Sequence, residues 1–590
     1  MLKAFFIVLR LRHARPMAYN SSMKTITLCA INARYSHSSL ALLYLRRTAD
    51  GLPVGLTEFN INDQPAKIIE SLVTTAPDAV GFSCYIWNIG IVIKVASAVK
   101  KLLPACTILL GGPEVSFDAP ELMRAHGFID IIIRGPGEAP FREFADAFCN
   151  GNSIAATPSA CIRKGDVLVE TADSAPLPLA DIPFVYSDLS AYAHKIIYYE
   201  TSRGCPFRCA YCLSAETSLD FLPTGRAIRE LEYFMRQHVR QVKLVDRTFN
   251  HPDARAREIF AALIALAKEY PDSPTNFHFE ISASLLTDET LAVLAAAPPG
   301  LLQFEVGIQS THGDTLKAVG RGHSTSAVLS KAARLCRMDN LCVHVDLIAG
   351  LPLETENTFA TSFNDAYRLG ANRLQLGFLK LLKGSPLRAQ AERFGILYTD
   401  DAPYEVLATA SMSYSVLRRL HRIEFLLDAL YNSHAALRTL ALLTALLPPY
   451  DVFSRFTEHL ENRDWFTRPQ KAAALLEQLH AFASALPNVD AELLRESLAF
   501  DWLCREKSDC PTCFALPQSD EHRAFARRLF SDPGFALRYP DFAGLTTGQL
   551  QRRCRVTFFP HLFGAPAYVL FDDGKKPDTP GSWQIVTLSE

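Results

Sequence analysis

From Thr25 to about Cys149, short apolar runs alternate with segments of helical length. The runs TITLCAIN, VGLTEFNI, AVGFSCYI, TILLGG and IDIIIRG are largely apolar, as is typical of strands buried on both faces. Buried strands separated by helices predict a parallel, doubly wound α/β sheet. Five of them predict a flavodoxin-like (Rossmann-like) domain, which binds ligands at the carboxyl ends of its strands.

A second strand–helix series begins near Lys195. Its six apolar runs are KIIYYETS, QVKLVDRT, NFHFEIS, LLQFEVGIQS, CVHVDLIAGLP and RLQLGFLKLL. Six repeats predict a partial (β/α)6 TIM barrel, and polar residues at strand ends are expected around the mouth of such a barrel. The polar residues predicted to close these strands are Glu200, Asp246, Glu280, Glu305, Gln309, Asp346 and Lys380.

These patterns divide the chain into five parts. Beyond Gly395, long Leu- and Ala-rich segments predict a mainly α-helical C-terminal domain, and a stretch rich in Pro, Ala, Ser and Asp predicts a linker with a small hairpin through CIRKGDVLVE. The predicted parts are a disordered or misassigned leader (1–22), the flavodoxin-like domain (23–150), the linker (151–190), the barrel (191–395) and the helical domain (396–590).

The composition and charge of the chain limit its expected partners and its expected cellular location. The formal net charge of the 590 residues is −2 and no basic domain is present, so nucleic acid is not an expected partner. The apolar run near the N-terminus is too short to span a membrane. Fourteen cysteines are scattered along a large chain, which indicates a reducing, cytoplasmic location with a few thiols reserved for metal.

The strongest chemical signal is the segment TSRGCPFRCAYC directly after the first barrel strand. It places Cys205, Cys209 and Cys212 in a C-x3-C-x2-C arrangement on one loop. Three thiolates can hold three irons of a 4Fe–4S cluster and leave the fourth iron open to a small molecule. A structural zinc site would require a fourth Cys or His, and the loop has none.

This loop resembles the signature of the radical S-adenosylmethionine superfamily. The resemblance implies that S-adenosylmethionine binds the open iron through its amino and carboxylate groups. One electron, from a flavodoxin or ferredoxin-type donor, then cleaves the sulfonium to methionine and a 5′-deoxyadenosyl radical. It also implies that Tyr211, between the second and third thiols, packs near the adenine.

Three further motifs match the family by position. In VDRTFN, Asp246 and Asn250 fall where the family contacts the methionine amino group. The resemblance further implies ribose and adenine contacts in QFEVGIQS and DLIAGLP. The residues concerned are Glu305, Gln309, Ile348 and Gly350.

The N-terminal sheet resembles the cobalamin-binding domain that precedes the barrel in many members of this superfamily. The matching pieces are GFSCY, LLGGPEVS and RGPGEAPF. Glycines allow a bulky ligand to approach the backbone closely, and a serine can hydrogen-bond a nucleotide tail. The candidate cobalamin residues are Ser83, Gly111, Gly112, Gly135, Gly137 and Glu138. A ligand-free docking domain is the alternative interpretation.

The lower cobalt ligand is not predicted by this resemblance. Cobalamin mutases use an Asp-x-His-x-x-Gly loop, whereas ARYSHSSLALLYL has His37 with Tyr35 in place of the acid and Leu40 in place of the glycine. Without an acceptor to orient the imidazole, we predict a loop or capping residue rather than a cobalt ligand. Ser36 or Ser38 is expected to cap the following helix.

Two other cysteine groups are weighed separately. A second cluster on Cys29, Cys84 and Cys106, as in tRNA-modifying methylthiotransferases, is disfavoured because these thiols would not meet at one sheet edge. In the segment CREKSDCPTC, an additional metal site remains open. Its thiols are Cys504, Cys510 and Cys513.

The whole order resembles a subfamily of cobalamin-dependent radical enzymes with a helical C-terminal domain of unknown function. We expect methylation of an unactivated carbon in a small-molecule substrate, with Lys380 and His278 as candidate substrate contacts. One alternative is radical cyclisation, oxygenation or rearrangement without methyl transfer. Another is a cobalamin or redox sensor that does not turn over.

Overall fold

The first five strands form a parallel sheet with helices on both faces. In the computed structural model, which describes residues 23–215, 217–322, 324–575 and 582–587, the strand order is β2-β1-β3-β4-β5-β6-β7. The predicted leader lies outside the described residues. The strands are β1 (Ile26–Asn32), β2 (Val54–Asn60), β3 (Ala79–Ser83), β4 (Thr107–Gly111), β5 (Ile131–Ile133), β6 (Ala160–Lys164) and β7 (Val167–Glu170).

Two separate apolar cores flank this sheet. The helices are α1 (Leu40–Thr48), α2 (Pro65–Thr75), α3 (Ile89–Leu102), α4 (Ala119–Ala125) and α5 (Glu138–Cys149). Side chains of α2, α3 and α4 share one buried cluster with one face of the strands, and those of α1 and α5 share the other. Burial on both faces explains why the strands lack polar alternation. The flavodoxin-like fold is confirmed, with the order 2-1-3-4-5 of that class.

The sheet extends into the range predicted as a linker. Strand β6 pairs antiparallel with β5, and β7 pairs antiparallel with β6. The predicted hairpin therefore exists, but it belongs to the sheet. Cys161 and Ile162 are buried in the two cores, and Gly165 makes the turn, so part of the range 151–190 has enough apolar surface to join the domain.

The middle of the chain forms a six-stranded sheet in the order β15-β14-β13-β12-β11-β8, and a short β9–β10 pair. Strands β8, β11 and β12 pair in parallel, as do β14 and β15. The strands are β8 (Ile197–Tyr199), β9 (Ser202–Arg203), β10 (Asp220–Phe221), β11 (Gln241–Leu244), β12 (Asn276–Ile281), β13 (Leu302–Gln309), β14 (Cys342–Ala349) and β15 (Arg373–Phe378). The helices are α6 (Thr224–Arg236), α7 (Asp253–Glu269), α8 (Asp288–Leu294), α9 (Gly313–Ala318), α10 (Thr325–Cys336) and α11 (Glu356–Tyr367).

Three of the acids predicted to close these strands lie inside them. Glu280, Glu305 and Asp346 are interior residues of β12, β13 and β14. Burial alternates strictly along β13 and β14, so each of these two strands has one fully buried face and one face with polar side chains. The expectation that these three acids close their strands was wrong, because each strand continues past its acid.

The C-terminal region is mainly helical, as predicted, with a small β-sheet that was not. Strands β18, β19 and β20 pair antiparallel. The elements are β16 (Leu397–Tyr398), β17 (Val406–Ala408), α12 (Tyr414–Leu426), α13 (Leu437–Thr444), α14 (Pro449–Glu461), α15 (Ala472–Ser484), α16 (Ala491–Leu503), α17 (Asp520–Ser531), α18 (Phe535–Arg538), α19 (Thr547–Arg553), β18 (Cys554–Phe559), β19 (Ala567–Asp572) and β20 (Trp583–Val586).

A π-helix, Leu427–Asn432, follows α12 and contacts strand β15. The Asn432 amide accepts a hydrogen bond from Leu374 N–H at 2.9 Å and donates to Leu374 C=O at 2.8 Å. The Tyr431 hydroxyl donates to Ala371 C=O at 2.6 Å. Side chains of the π-helix thus satisfy backbone groups of a strand at the end of the sheet.

The described residues divide into two compact units. The first comprises residues up to Phe304 together with Lys380–Arg393 and Leu397–Val406, and the second comprises Glu305–Leu379, Phe394–Ile396 and residues from Leu407 onward. The five predicted domain boundaries stay a prediction.

Candidate functional site

The cysteine loop follows strand β9, which pairs with β10 in a short two-stranded sheet. Gly204 follows β9 with φ +81°, and a Cβ at this position would overlap the Ser218 carbonyl oxygen. Only glycine therefore allows the turn that brings Cys205 out of the strand. The loop is also tied at its centre, where Ala210 C=O accepts a hydrogen bond from Leu387 N–H at 2.8 Å.

The three predicted cluster thiols lie on this loop in different surroundings. Cys209 is buried, whereas Cys205 and Cys212 are partly exposed. The Thr248 hydroxyl lies 3.3 Å from Cys205 Sγ, and Ser214 N–H donates to Cys212 Sγ at 3.4 Å. Such contacts to sulfur tune an iron–sulfur cluster.

A single metal ion requires ligands that converge on one point. Among the described residues, no group of three or more His, Cys, Asp or Glu side chains does so. A four-iron cluster takes each thiolate through a different iron, so its thiolates stay apart. The three thiols, the exposure of two of them and the sulfur contacts fit a cluster of this kind.

Asp246 is fully buried behind the cysteine loop. Its carboxylate accepts hydrogen bonds from Thr201 N–H (2.9 Å), the Thr201 hydroxyl (2.5 Å) and the Ser202 hydroxyl (2.7 Å). Burial raises the pKa of this carboxyl, against the lowering effect of these donors. The carboxylate therefore anchors the strand that leads into the loop.

Asn250 is occupied in a similar way. Its side chain donates to Ser282 C=O and accepts from Ser282 N–H, both at 2.9 Å. Asn250 thus joins the segment after β11 to the segment after β12. The contacts of Asp246 and Asn250 with S-adenosylmethionine stay a prediction, as does that of Tyr211, which is partly buried on the loop.

The remaining predicted nucleoside contacts lie in the second unit. Glu305 and Gln309 alternate on the more exposed face of β13, and Gln309 ends that strand with φ +70°. Ile348 is on the corresponding face of β14, and Gly350 follows this strand with φ +86°. These contacts remain predictions.

All six predicted cobalamin residues line one cavity of the first unit, about 480 Å³ in volume. Ser83 and Gly111 end β3 and β4, Gly137 precedes α5, and Glu138 is its first residue. The cavity residues predicted from sequence are Ser83, Gly111, Gly112, Gly135, Gly137 and Glu138.

The structure gives a different reason for one of the glycines. Gly112 has φ +110°, and a Cβ there would lie 2.7 Å from the carbonyl oxygen of Cys84. The close approach that requires glycine is therefore to the neighbouring strand's own backbone, in addition to any ligand.

A row of ionisable side chains joins this cavity to the cysteine loop. Arg203, two residues before Cys205, donates to Glu138 Oε1 at 2.5 Å and to Glu200 Oε2 at 3.0 Å. The guanidinium also lies 5.8 Å from the centre of the Tyr44 ring. Burial raises the pKa of Glu200 to about 7 although Arg203 opposes it. Burial alone would lower the pKa of Arg203, but the two carboxylates outweigh it and raise it.

The second carboxylate oxygen of Glu138 is not engaged by Arg203. Its Oε2 atom is buried and has no hydrogen-bond partner among the described residues. A buried acceptor without a donor is costly in a folded protein. The orphaned oxygen and the cavity beside it fit a bound molecule that carries hydrogen-bond donors.

A larger cavity of about 730 Å³ in the same unit shares part of this wall. Glu138, Glu200, Arg203 and Arg247 line both cavities. Trp87, half exposed, stacks on Tyr85 with ring centres 4.3 Å apart. Further lining residues include His37, Tyr198, Lys243 and Glu280.

His37 lies in a turn after β1. Its N–H donates to Arg34 C=O, and its ring meets Tyr198 edge-on at 5.5 Å. Burial, with Arg34 and Lys243, lowers the pKa of its imidazole. Its interpretation as a loop residue agrees with this turn.

The capping prediction for the helix after this turn was wrong. The residue before α1 is Ser39, which makes no side-chain cap, and the Ser38 hydroxyl donates to Ile196 C=O. The partner of Ser38 is thus distant in sequence, which helix-start patterns do not reveal.

A second ionic link joins the sheet domain to the segment that follows β15. Lys383 Nζ lies 2.8 Å from Asp118 and 3.3 Å from Glu114, which is 3 % exposed. The Tyr404 hydroxyl also donates to Glu114. Sequence reasoning missed this link and the Arg203 link, although Glu114 stands inside the motif LLGGPEVS.

The remaining candidates are spread over the chain. Lys380 forms a β-bridge with Glu405, and His278 is 7 % exposed within β12. Their proposed substrate contacts stay predictions. Cys29, Cys84 and Cys106 lie in the core of the first sheet.

In the C-terminal region, the segment CREKSDCPTC is not buried as a unit. Cys504 and Cys510 are partly exposed and Cys513 is exposed. Among the residues that the structure covers, these thiols form no metal-binding group.

Three family models match the chain. They are described as "B12 binding domain" (residues 26–145), "Radical SAM superfamily" (residues 199–366) and "Protein of unknown function (DUF4080)" (residues 392–568).

Along the described stretches of chain, we find no helix that is both long and apolar enough to cross a membrane.

Two curated relatives, both named as methyltransferases, match about half of the chain. The cobalamin-dependent radical SAM methyltransferase TokK of Streptomyces tokunonensis is 27 % identical over 352 residues, which are 54 % of this chain and 50 % of TokK. The 2-(S-pantetheinyl)-carbapenam-3-carboxylate methyltransferase of Streptantibioticus cattleyicolor is 27 % identical over 331 residues, 50 % of this chain and 46 % of that protein. The chain thus spans about half the length of these relatives.

One solved structure shows the likeness of fold. The radical S-adenosylmethionine methyltransferase TsrM of Kitasatospora setae, with cobalamin and a [4Fe-4S] cluster bound, matches with a TM-score of 0.54 and 18 % identity. The match covers 65 % of this chain and 78 % of TsrM.

Proposed function

The chain is a radical SAM protein with a B12-binding domain in front of its radical SAM domain, and on that premise we propose that it methylates an unactivated carbon of a small-molecule substrate. The relative TokK, which is named as a cobalamin-dependent radical SAM methyltransferase, supports this activity. The proposal concerns the type of reaction and not the identity of the substrate.

One observation carries the proposal. The cavity lined by all six candidate cobalamin residues is also lined by Glu200, Arg203 and Arg247, which flank the cysteine loop and its anchoring strand. A corrinoid in that cavity would therefore lie beside the loop that holds the cluster. Methyl transfer to a radical requires both groups to reach one substrate carbon.

The chain's own residues have separate tasks in this proposal. Cys205, Cys209 and Cys212 would hold three irons, and the six cavity residues would hold the corrinoid. Once bound, these groups supply one-electron cleavage of S-adenosylmethionine and a transferable methyl group. The protein would position them through Asp246, which anchors the strand before the cysteine loop, and Arg203, which joins that strand to Glu138.

Three finer expectations belong to the proposal as well. We expect the electron to come from a flavodoxin or ferredoxin-type protein. We also expect the six-stranded sheet to be the partial barrel of the superfamily and the location to be cytoplasmic, the latter because fourteen cysteines are scattered without a disulfide pattern.

Anaerobic reconstitution tests the proposal. Full-length protein is supplied with iron, sulfide, hydroxocobalamin, S-adenosylmethionine carrying a labelled methyl group, and a low-potential reductant. We expect a cluster chromophore that is lost in Cys209→Ala, formation of 5′-deoxyadenosine, and label in a product when cell extract supplies substrate.

The outcomes separate the alternatives. 5′-Deoxyadenosine with no labelled product would replace methyl transfer by cyclisation, oxygenation or rearrangement. Absence of 5′-deoxyadenosine from protein with a full cluster would favour a sensor. If the reconstituted wild-type protein shows no cluster chromophore, the proposed iron–sulfur cluster itself is refuted.

A further inference from the structure

Glu138 has two carboxylate oxygens in different positions. Oε1 accepts the hydrogen bond from Arg203, while Oε2 is buried without a partner among the described residues. The whole side chain lines both cavities and is 6 % exposed. Its first oxygen is thus engaged with the protein, and its second remains to be satisfied.

Two positive features surround this carboxylate. Arg203 lies against it, and Glu138 is the first residue of the twelve-residue helix α5, whose N-terminus favours negative charge. A buried carboxylate oxygen without a donor is destabilising, because it has lost its hydrogen bonds to water and gained none from the protein. A ligand that donates an N–H group would remove this cost.

The smaller cavity indicates which ligand supplies the donor. Glu138 shares that cavity with the glycines and serine at the carboxyl edge of the first sheet. The periphery of a corrinoid carries primary amide groups, which donate N–H hydrogen bonds. A carboxylate acceptor is therefore the chemical complement of an occupant that displays amides.

We propose that Glu138 is a positioning residue that acts on two groups at once: Oε2 accepts a hydrogen bond from a peripheral amide of the corrinoid, while Oε1 holds Arg203. The proposal rests on the proposed cobalamin binding. Because Arg203 lies two residues before Cys205, one carboxylate links the occupant of the cavity to the strand that leads into the cysteine loop.

Binding of hydroxocobalamin alone, without S-adenosylmethionine or substrate, tests this role. Equilibrium dialysis compares full-length wild type with Glu138→Gln, Arg203→Gln and Glu121→Gln, the last a matched control because Glu121 is exposed on α4. We expect Glu138→Gln to weaken binding by about ten- to hundred-fold, the value of one buried hydrogen bond to a charged acceptor.

Arg203→Gln separates this role from a purely structural one. It breaks the same ion pair but leaves Oε2 in place, so the loss of affinity should be well below that of Glu138→Gln. Equal losses in the two variants, or wild-type affinity in Glu138→Gln, would overturn the proposal. If the wild type binds no corrinoid, the proposed function fails instead.

A second measurement needs no variant and covers the case in which Glu138→Gln does not fold. Wild-type protein should bind cobinamide, which keeps the peripheral amides, much more tightly than cobyrinic acid, in which carboxylates replace them and repel Glu138. Equal affinity for the two corrinoids would contradict the inference.

Discussion

Gly204 shows how one residue without a side chain controls the cysteine loop. A Cβ at its φ of +81° would overlap the Ser218 carbonyl oxygen, which is backbone and cannot move aside. We expect Gly204→Ala to lose most of its iron because the loop cannot turn toward Cys205. The measurement is iron content after anaerobic reconstitution.

The control for this substitution is Gly313→Ala. Gly313 begins α9, and a Cβ there meets no atom within 4 Å. This variant should keep its iron. Full iron content in Gly204→Ala would show that the loop tolerates another turn.

Glu354 predicts a pH effect in the second unit. It is fully buried, accepts hydrogen bonds from the Ser310 hydroxyl (2.5 Å) and the Ser362 hydroxyl (3.3 Å), and burial raises its pKa from 4.5 to about 7. The folded state holds this proton more tightly than the unfolded state does. Its contribution to stability is therefore full below pH 4.5 and is lost as the pH rises through about 7.

Glu354→Gln should remove this dependence. At pH 5 the variant and wild type should be similar, and at pH 8 the variant should be more stable relative to wild type, by up to about 3 kcal/mol. Thermal unfolding at both pH values measures the difference. A difference independent of pH would mean that Glu354 is ionised throughout this range.

At the residue scale, the sequence was informative where chemistry follows from local spacing. The cysteine triad lies within eight positions, and each cavity residue lies in or shortly after the carboxyl-terminal part of a predicted strand. The pair Arg203–Glu138 joins residues 65 positions apart, and Lys383 pairs with a residue 269 positions away. No local pattern encodes such pairs, because they arise only when the elements meet.

Among the elements, the π-helix Leu427–Asn432 makes a specific contribution to the sheet. Strand β15 lies at the edge of the sheet. There the Asn432 amide makes with Leu374 the two backbone hydrogen bonds that a neighbouring strand would otherwise make. Asn432→Ala would leave a backbone N–H and a C=O unsatisfied. We expect the second unit to lose about 1–3 kcal/mol of stability.

Hydrogen exchange gives the local readout for Asn432→Ala. The Leu374 amide should exchange faster in the variant, while Asn462→Ala, at an exposed helix end, should change neither exchange nor melting temperature. Unchanged exchange at Leu374 would show that another group protects this edge.

The types of the elements could be predicted where the hydrophobic periodicity was clear, but the boundaries of the elements could not. The five parallel strands and the helical C-terminal region follow from hydrophobic pattern. The acids inside β12, β13 and β14 were expected at strand ends but lie within the strands, because one face of a strand can carry charge when it faces a site rather than a core. The β18–β20 sheet has an alternating pattern too short to separate from loops.

At the scale of the first unit, Lys383 joins the sheet domain to the segment after β15. Lys383→Met would leave Glu114 and Asp118 without their cation, and Glu114 is buried. We expect a loss of about 3–5 kcal/mol. Combining it with Glu114→Gln should restore part of the loss, because the buried charge is then also removed.

Melting temperature measures these variants. Lys67→Met is the matched control, since Lys67 forms an exposed ion pair with Asp63 that is worth about 0–1 kcal/mol. A loss in Lys383→Met no larger than in this control would mean that water already satisfies Glu114 and Asp118.

The hairpin β6–β7 determines where the first domain can be excised. Arg134 donates to Glu170 and to Thr171 C=O, and Arg163 donates to Ile129 C=O, so the hairpin is bonded to β5 and to the loop before it. A fragment that stops at residue 150 would expose the whole free side of a three-residue strand and invite self-association. A cut placed after Asp173 would keep that side covered and is the better start for a minimal corrinoid-binding fragment.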